Sequence, residues 1–467
     1  MKLTRLLLAL LLCAALLLCC GAPAFADPSP FSLRVLIGDE TVTVRAMQND
    51  YRGNYYLSLS DLSAVLSGTP AAFRFSYEYS ANDGEYFTVA TGQNAGGASG
   101  AGNATEEPWI SSFSPFRNRI FVDGREHRYY TYRAGRDIFM SLTDIQLMLD
   151  MPAELQEDGV RLYPGQHFYP DVLQLAEQGY FDCFSAVLLG DADTGEILYA
   201  HNADDPVPIA SITKLMTYLL LAEGAAAGEI SFQDTVVITE DAAALSRGAD
   251  AMVSLQAGQE RPFRELLACM LLASSNECAL ALAEHLAGSE AAFVDRMNER
   301  ARELGLDSAR FYNPHGLPLY LERSVTAKVQ NVMSGEDLFA LCRILLKDYP
   351  EITHITGERY GSMPSLSYVT ANSNAVVFNL EGCNGLKTGS TNKAGSCLVA
   401  TLPVTVNGET HTAVAIVLGS ECADVRNQAA EILLRYARNT WQEQGFPKAE
   451  EEPAPAASPA PSKGKGT

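Results

Sequence analysis

Residues 184–217 read FSAVLLGDADTGEILYAHNADDPVPIASITKLMT. From Phe184 to Asn202, two apolar runs flank Asp193-Thr194-Gly195, the pattern of a β-hairpin with its turn at the glycine. The loop PVPIA then leads to Ser211, after which Ile212, Leu215, Met216 and Leu219 keep the i, i+3, i+4, i+7 spacing of a helix. Further on, Phe263 to Gly288 reads as two apolar helices broken at Ser274-Ser275-Asn276. Cys397 to Thr401 and Thr410 to Leu418 read as strands, and Val425 to Thr440 as a closing helix. Helices gathered between a first hairpin and the last strands predict an α+β domain with an antiparallel sheet and a helical subdomain, over 169–446.

Upstream, residues 29–165 alternate apolar and polar positions in short runs (FSLRVLI, FRFSYEY, RIFVDG), which predicts a small β-rich domain. Two segments repeat one another: YLSLSDLSAVL from Tyr56 and FMSLTDIQLML from Phe139. In each, a strand runs into Ser-x-x-Asp (Ser58 to Asp61, Ser141 to Asp144), which can close a capping box on an apolar helix. Between the copies, Thr91 to Pro108 is rich in Gly, Ala and Asn and reads as a mobile loop; its Asn103-Ala104-Thr105 matches a glycosylation sequon, a match that chance explains. The Pro/Ala/Ser-rich residues 450–467 read as a disordered tail.

The 467 residues carry 34 Lys and Arg against 56 Asp and Glu, a formal net charge of −22. That balance argues against a nucleic-acid partner, whose phosphates are neutralised by basic residues. Lys2 and Arg5 precede the apolar run Leu6 to Cys20, and Ala24-Phe25-Ala26 offers small-x-small cleavage, so residues 1–26 read as a secretory leader. The expected product is extracytoplasmic, without a transmembrane anchor after cleavage; lipid attachment through Cys19 or Cys20 is the alternative. The ten cysteines include no C-x-x-C, and the seven histidines no H-E-x-x-H, so neither metal nor another cofactor is expected.

Three short motifs fall in order within the second domain: Ser211-Ile212-Thr213-Lys214, Ser274-Ser275-Asn276 and Lys387-Thr388-Gly389. Lys214 lies one helical turn after Ser211 and can reach its hydroxyl. A lysine serves as a base when burial and a cationic neighbour lower its pKa, and Lys387 supplies such a neighbour. Backbone N–H groups at a helix start favour a developing oxyanion. Lys387 and Thr388 can hold a carboxylate, and Gly389 lets a ligand backbone approach. Each motif also has an ordinary reading: a serine at a helix start with a solvated lysine, or a polar cap on a second helix.

In combination, S-x-x-K, S-x-N and K-T-G resemble the penicillin-binding protein and serine β-lactamase superfamily. DADTGEILYAHNADDPVPIASITKLMT, LLASSNECALALAEHLAG, MNERARELGLDSARFYNPHGL and CNGLKTGSTNKAGSCLVAT resemble its D-alanyl-D-alanine carboxypeptidases. The similarity runs from Phe184 to Ala437. It implies a transpeptidase/β-lactamase-like fold, a peptidoglycan stem peptide ending in D-Ala-D-Ala as substrate, and β-lactams as inhibitors. It implies Ser211 as nucleophile, Lys214 as general base, Ser274 and Asn276 as proton relay and amide contacts, and Lys387, Thr388 and Arg426 on the terminal carboxylate. The N–H groups of Ser211 and Ser390 would form the oxyanion hole. Ser275 stands where these enzymes usually carry Gly. The 29–165 unit resembles the N-terminal domain of copper amine oxidases, a likeness that implies no copper site and fits a spacer or wall-contacting module.

Two other functions use the same residues. A serine β-lactamase needs a device for fast deacylation, and no E-x-x-L-N segment lies between the second and third motifs. A non-catalytic penicillin sensor or envelope-binding protein would not need Ser211, Lys214, Asn276 and Lys387 together.

Overall fold

A computed structural model describes residues 31–48, 55–81, 84–95, 118–320 and 328–446. The leader, the Asn103 sequon, most of the Thr91–Pro108 loop and the 450–467 tail lie outside the described residues. The chain separates into two compact units, with the boundary at Phe168 and Tyr169 and the short segment Glu126–Arg128 grouped with the second.

The first unit is built on a seven-stranded sheet. Its strands are β1 (Phe31–Ile37), β2 (Glu40–Gln48), β3 (Tyr55–Ser58), β8 (Thr131–Ala134), β9 (Asp137–Ser141), β10 (Ala153–Gln156) and β11 (Gly159–Leu162), in the order β10-β11-β1-β2-β3-β9-β8. A second, four-stranded sheet contains β4 (Phe73–Ser80), β5 (Gly84–Thr91), β6 (Ile120–Val122) and β7 (Arg125–His127). The sequence repeat has a structural counterpart. Strands β3 and β9 are the two copies' strands, and they pair antiparallel with Tyr56 opposite Ser141 and Ser58 opposite Phe139. Equivalent positions thus exchange places across the pair, as in a two-fold relation. Each strand runs into its helix, α1 (Leu59–Val65) or α2 (Leu142–Leu149), and Ser58 and Ser141 accept from Asp61 N–H and Asp144 N–H. The predicted capping box is altered at the first copy, because the Asp61 carboxylate is held by the Arg45 guanidinium at 2.7 Å and by Arg45 N–H.

The second unit is an α+β domain. Its strands β12 (Ala186–Asp191), β13 (Ile197–His201), β16 (Gly385–Thr391), β17 (Gly395–Val406) and β18 (Glu409–Ser420) form an antiparallel sheet ordered β13-β12-β18-β17-β16. A separate hairpin joins β14 (Tyr360–Met363) to β15 (Tyr368–Ala371). The helices used below are α3 (Lys214–Ala226), α4 (Phe263–Ala268), α5 (Asn276–Ala287), α6 (Glu290–Glu303), α7 (Gly335–Asp348) and α8 (Ala423–Gln444). Strand β12 is buried throughout because both sheet faces are covered. Ala186, Leu188, Val414, Ile416 and Leu418 join the core built with α3, α5 and α7, whereas α8 lies against β17 and β18. Lys214 to Ala222 are all buried, so α3 is a central helix and not the one-faced helix its spacing suggests. Its first residue, a lysine, is thereby carried into the core. No described helix is long and apolar enough to cross a membrane.

Candidate active site

The chain turns sharply before Ser211. Ala210 has a φ of +48°, and Ala210–Thr213 form a single 3-10 turn that feeds directly into α3. Lys214 is 0 % exposed, and its Nζ lies 3.0 Å from Ser211 Oγ, 2.8 Å from Asn276 Oδ1 and 2.7 Å from the His315 carbonyl. Burial, with the charge of Lys387 as the next cause, holds the Lys214 ammonium well below its ordinary pKa; the nearby Glu277 opposes that shift.

The second motif sits where α4 passes through a π-helical turn, Cys269–Ala273. Ser274 closes that turn in the left-handed region (φ 64°, ψ 28°) by donating its N–H to the Cys269 carbonyl. Ser275 is the N-cap of α5, its hydroxyl accepting from Cys278 N–H at 3.1 Å. With φ at −56°, position 275 has no need of glycine, and the usual Gly is replaced by a cap. The capping role falls on Ser275, leaving Asn276 for Lys214. The Ser274 hydroxyl stays outside the three hydrogen bonds made by Lys214 Nζ.

The third motif occupies the edge strand β16, next to Ser211. A Cβ on Gly389 would stand 2.9 Å from Ser211 N and 3.0 Å from the Ile209 carbonyl, so only glycine fits there. Lys387 is buried, donates to the Thr388 carbonyl at 2.9 Å, and has its pKa lowered to about 7 by burial and by the charge of Arg426. Arg426 is buried on α8, with Nη2 2.8 Å from Asn427 Oδ1 and Nη1 3.4 Å from the carbonyl of Cys397, the residue opposite Gly389. It reaches Lys387 through its charge. Ser390 follows on β16 and is exposed.

Three further groups border these residues. In Asn313-Pro314-His315-Gly316, Asn313 Oδ1 accepts from the N–H groups of His315 and Gly316, turning the His315 carbonyl toward Lys214. A Cβ on Gly316 would stand 2.1 Å from the Ala210 carbonyl, which sets this turn directly against the serine turn. Glu277 Oε1 accepts from the N–H groups of Met252 and Val253, fixing that segment beside α5. Ser373 Oγ lies 2.6 Å from Thr388 Oγ1. The quoted YNPHGL signature pointed to the first; nothing short of the fold points to Ser373.

Among the described residues, Asp191, Asp193 and His411 come close enough to share a metal ion. Their atoms are engaged with one another and with the backbone: Asp191 Oδ2 with His411 Nδ1 at 2.6 Å, Asp191 Oδ1 with Asp193 N–H, and Asp193 Oδ2 with Thr412 N–H. The group sits at the end of the strands opposite Ser211.

The profile of the D-alanyl-D-alanine carboxypeptidase family matches residues 176–422. The chain is 33 % identical over 261 residues to D-alanyl-D-alanine carboxypeptidase DacF of Bacillus subtilis, covering 55 % of this chain and 62 % of that protein. It is 32 % identical over 219 residues to a D-alanyl-D-alanine endopeptidase of Pseudomonas aeruginosa, covering 46 % and 65 %. The chain thus spans less than two thirds of these curated relatives. Among solved structures it is similar to a peptidoglycan synthesis regulatory factor (PBP3) of Streptococcus pneumoniae, at 31 % identity and a TM-score of 0.50 over 54 % of this chain and 71 % of that one. The matched span holds the serine turn, the α4–α5 break and strand β16, and the chain belongs to the D-alanyl-D-alanine carboxypeptidase family.

Proposed function

We propose that the protein is an extracytoplasmic serine carboxypeptidase that removes the terminal D-alanine from peptidoglycan stem peptides and is acylated by β-lactams. The observation that carries this reading is the buried Lys214 amine 3.0 Å from Ser211 Oγ. A neutral amine has two N–H groups and one lone pair. Asn276 Oδ1 and the His315 carbonyl can take the two N–H groups, which leaves the lone pair for the Ser211 proton. Burial and Lys387 favour that neutral form.

In the proposed sequence Lys214 takes the Ser211 proton while Oγ attacks the carbonyl carbon of the penultimate D-alanine. The N–H groups of Ser211 and Ser390 receive the oxyanion. The proton passes by way of Lys214 and Ser274 to the amine of the departing D-alanine, and Asn276 also holds the substrate amide. Lys387 and Thr388 bind the terminal carboxylate, with Arg426 adding positive charge behind Lys387. Water then hydrolyses the ester and restores Ser211. The leader pattern in residues 1–26 supports an extracytoplasmic site of action. The first unit, with its paired strand-to-helix repeats, fits a copper amine oxidase N-terminal-like spacer or wall-contacting module.

The test is incubation with diacetyl-Lys-D-Ala-D-Ala and, separately, with a fluorescent penicillin. Release of D-alanine with a long-lived penicillin adduct supports the carboxypeptidase. Rapid penicillin turnover without D-alanine release would instead indicate a β-lactamase, and neither signal a non-catalytic protein.

A further inference from the structure

Ser373 stands between the second and third motifs. Its backbone N–H donates to the carbonyl of Leu272, in the π-helical turn before Ser274, and its hydroxyl meets Thr388 Oγ1 at 2.6 Å. The residues on either side are buried and hydrogen-bonded. Asn372 Nδ2 donates to the carbonyls of Thr356 and Glu358, and Asn372 Oδ1 accepts from Asn374 N–H. Asn374 Nδ2 donates to the Gly385 carbonyl on β16 itself, and its Oδ1 accepts from Val376 N–H. This triplet therefore fixes a turn whose middle side chain is aimed at Thr388.

A threonine hydroxyl has one proton and two lone pairs. If Thr388 donates to Ser373, its proton is lost to a ligand; if Ser373 donates to Thr388, that proton is free. We propose that Ser373 is a positioning residue: by donating to Thr388 Oγ1 it fixes the orientation of that hydroxyl so that its proton faces the substrate's terminal carboxylate, and the site favours peptides ending in a free carboxylate. The inference rests on the carboxypeptidase reading of Thr388. Ser373 itself does not touch the reacting atoms in this scheme.

The test compares diacetyl-Lys-D-Ala-D-Ala with the same peptide bearing a C-terminal amide, using the full chain. Ser373→Ala should raise KM for the free acid about tenfold, the worth of one hydrogen bond, and change kcat less than about threefold. Its preference for acid over amide should fall by the same factor. Ser373→Thr, which keeps the hydroxyl, should restore the preference to within about twofold of wild type. In a Thr388→Val background, Ser373→Ala should have no further effect on it. Equal losses on acid and amide, or full preference in Ser373→Ala, would overturn the inference while leaving the carboxypeptidase reading intact. A wild-type protein that releases no D-alanine from the acid would overturn both.

Discussion

Lys214 Nζ lies 3.0 Å from Ser211 Oγ, three residues apart in the chain, with the lysine carried wholly into the core by the first turn of a buried helix. In the proposed mechanism that amine is the base, and a side chain of similar length without an amine removes it. Lys214→Met should slow acylation by penicillin about 10²–10⁴-fold in stopped-flow measurements. The melting temperature should fall, because Asn276 Oδ1 and the His315 carbonyl lose their buried donor. Acylation within a few-fold of wild type would assign the base elsewhere.

In the proposed mechanism the two lysines set opposite limbs of the pH profile. Lys214 must be neutral to accept a proton, and its lowered pKa brings that form to a pH well below the ordinary lysine range, so kcat/KM rises with pH through it. Lys387 must be charged to attract a carboxylate, and with its pKa at about 7 the free enzyme loses that charge above neutrality. A falling alkaline limb in kcat/KM is therefore expected near pH 7, displaced upward in kcat because a bound carboxylate stabilises the ammonium. Arg426→Gln removes a neighbouring positive charge and should move the limb to higher pH. An unmoved limb would separate it from Lys387.

The same shift gives a sign for stability. Between pH about 7 and the ordinary lysine value, unfolded chains hold a proton on Lys387 that the folded protein has released. The Lys387 contribution to folding stability should therefore increase as pH rises across that window, and Lys387→Met should flatten the rise in denaturant melts. A steeper rise in the variant would contradict the assignment.

Gly389 is the contact between strand β16 and the serine turn. In Gly389→Ala the new methyl meets backbone atoms, Ser211 N at 2.9 Å and the Ile209 carbonyl at 3.0 Å, so the turn must move. We expect a loss of about 1–3 kcal/mol in stability and at least about tenfold in acylation rate. Gly408→Ala, at a positive φ but with nothing within 4 Å, should lower stability and leave acylation unchanged.

Ser275 separates capping from catalysis. Ser275→Ala should lower stability by about 1 kcal/mol and Ser275→Gly by a few tenths, read from denaturant melts, with acylation within about twofold of wild type in both.

The residues that meet through local order are legible in the sequence. Ser211 and Lys214 share a turn, Gly389 follows Lys387 on one strand, and the hairpin from Phe184 announced the first two strands of the sheet. The Ser58 and Ser141 repeats likewise foretold two strand-to-helix units, though not that their strands pair with each other, since register between distant segments depends on the whole sheet. What stayed hidden acts through long-range closure. Ser373 reaches Thr388 by way of a turn fixed by two asparagines, and Glu277 holds the N–H groups of Met252 and Val253 from across 24 and more positions. Spacing on one element carries no trace of such pairings. The complete burial of α3 is not legible in the sequence either, because an apolar stripe at helical spacing does not reveal whether the opposite face is covered as well.

In the proposed mechanism Ser211 is the nucleophile. The most direct test of that role is intact-protein mass spectrometry after exposure to benzylpenicillin, followed by mapping of the modified peptide. One added penicilloyl group is expected, located on Ser211 and absent from Ser211→Ala. A stoichiometric adduct that persists in Ser211→Ala, or that maps to another residue, would contradict it.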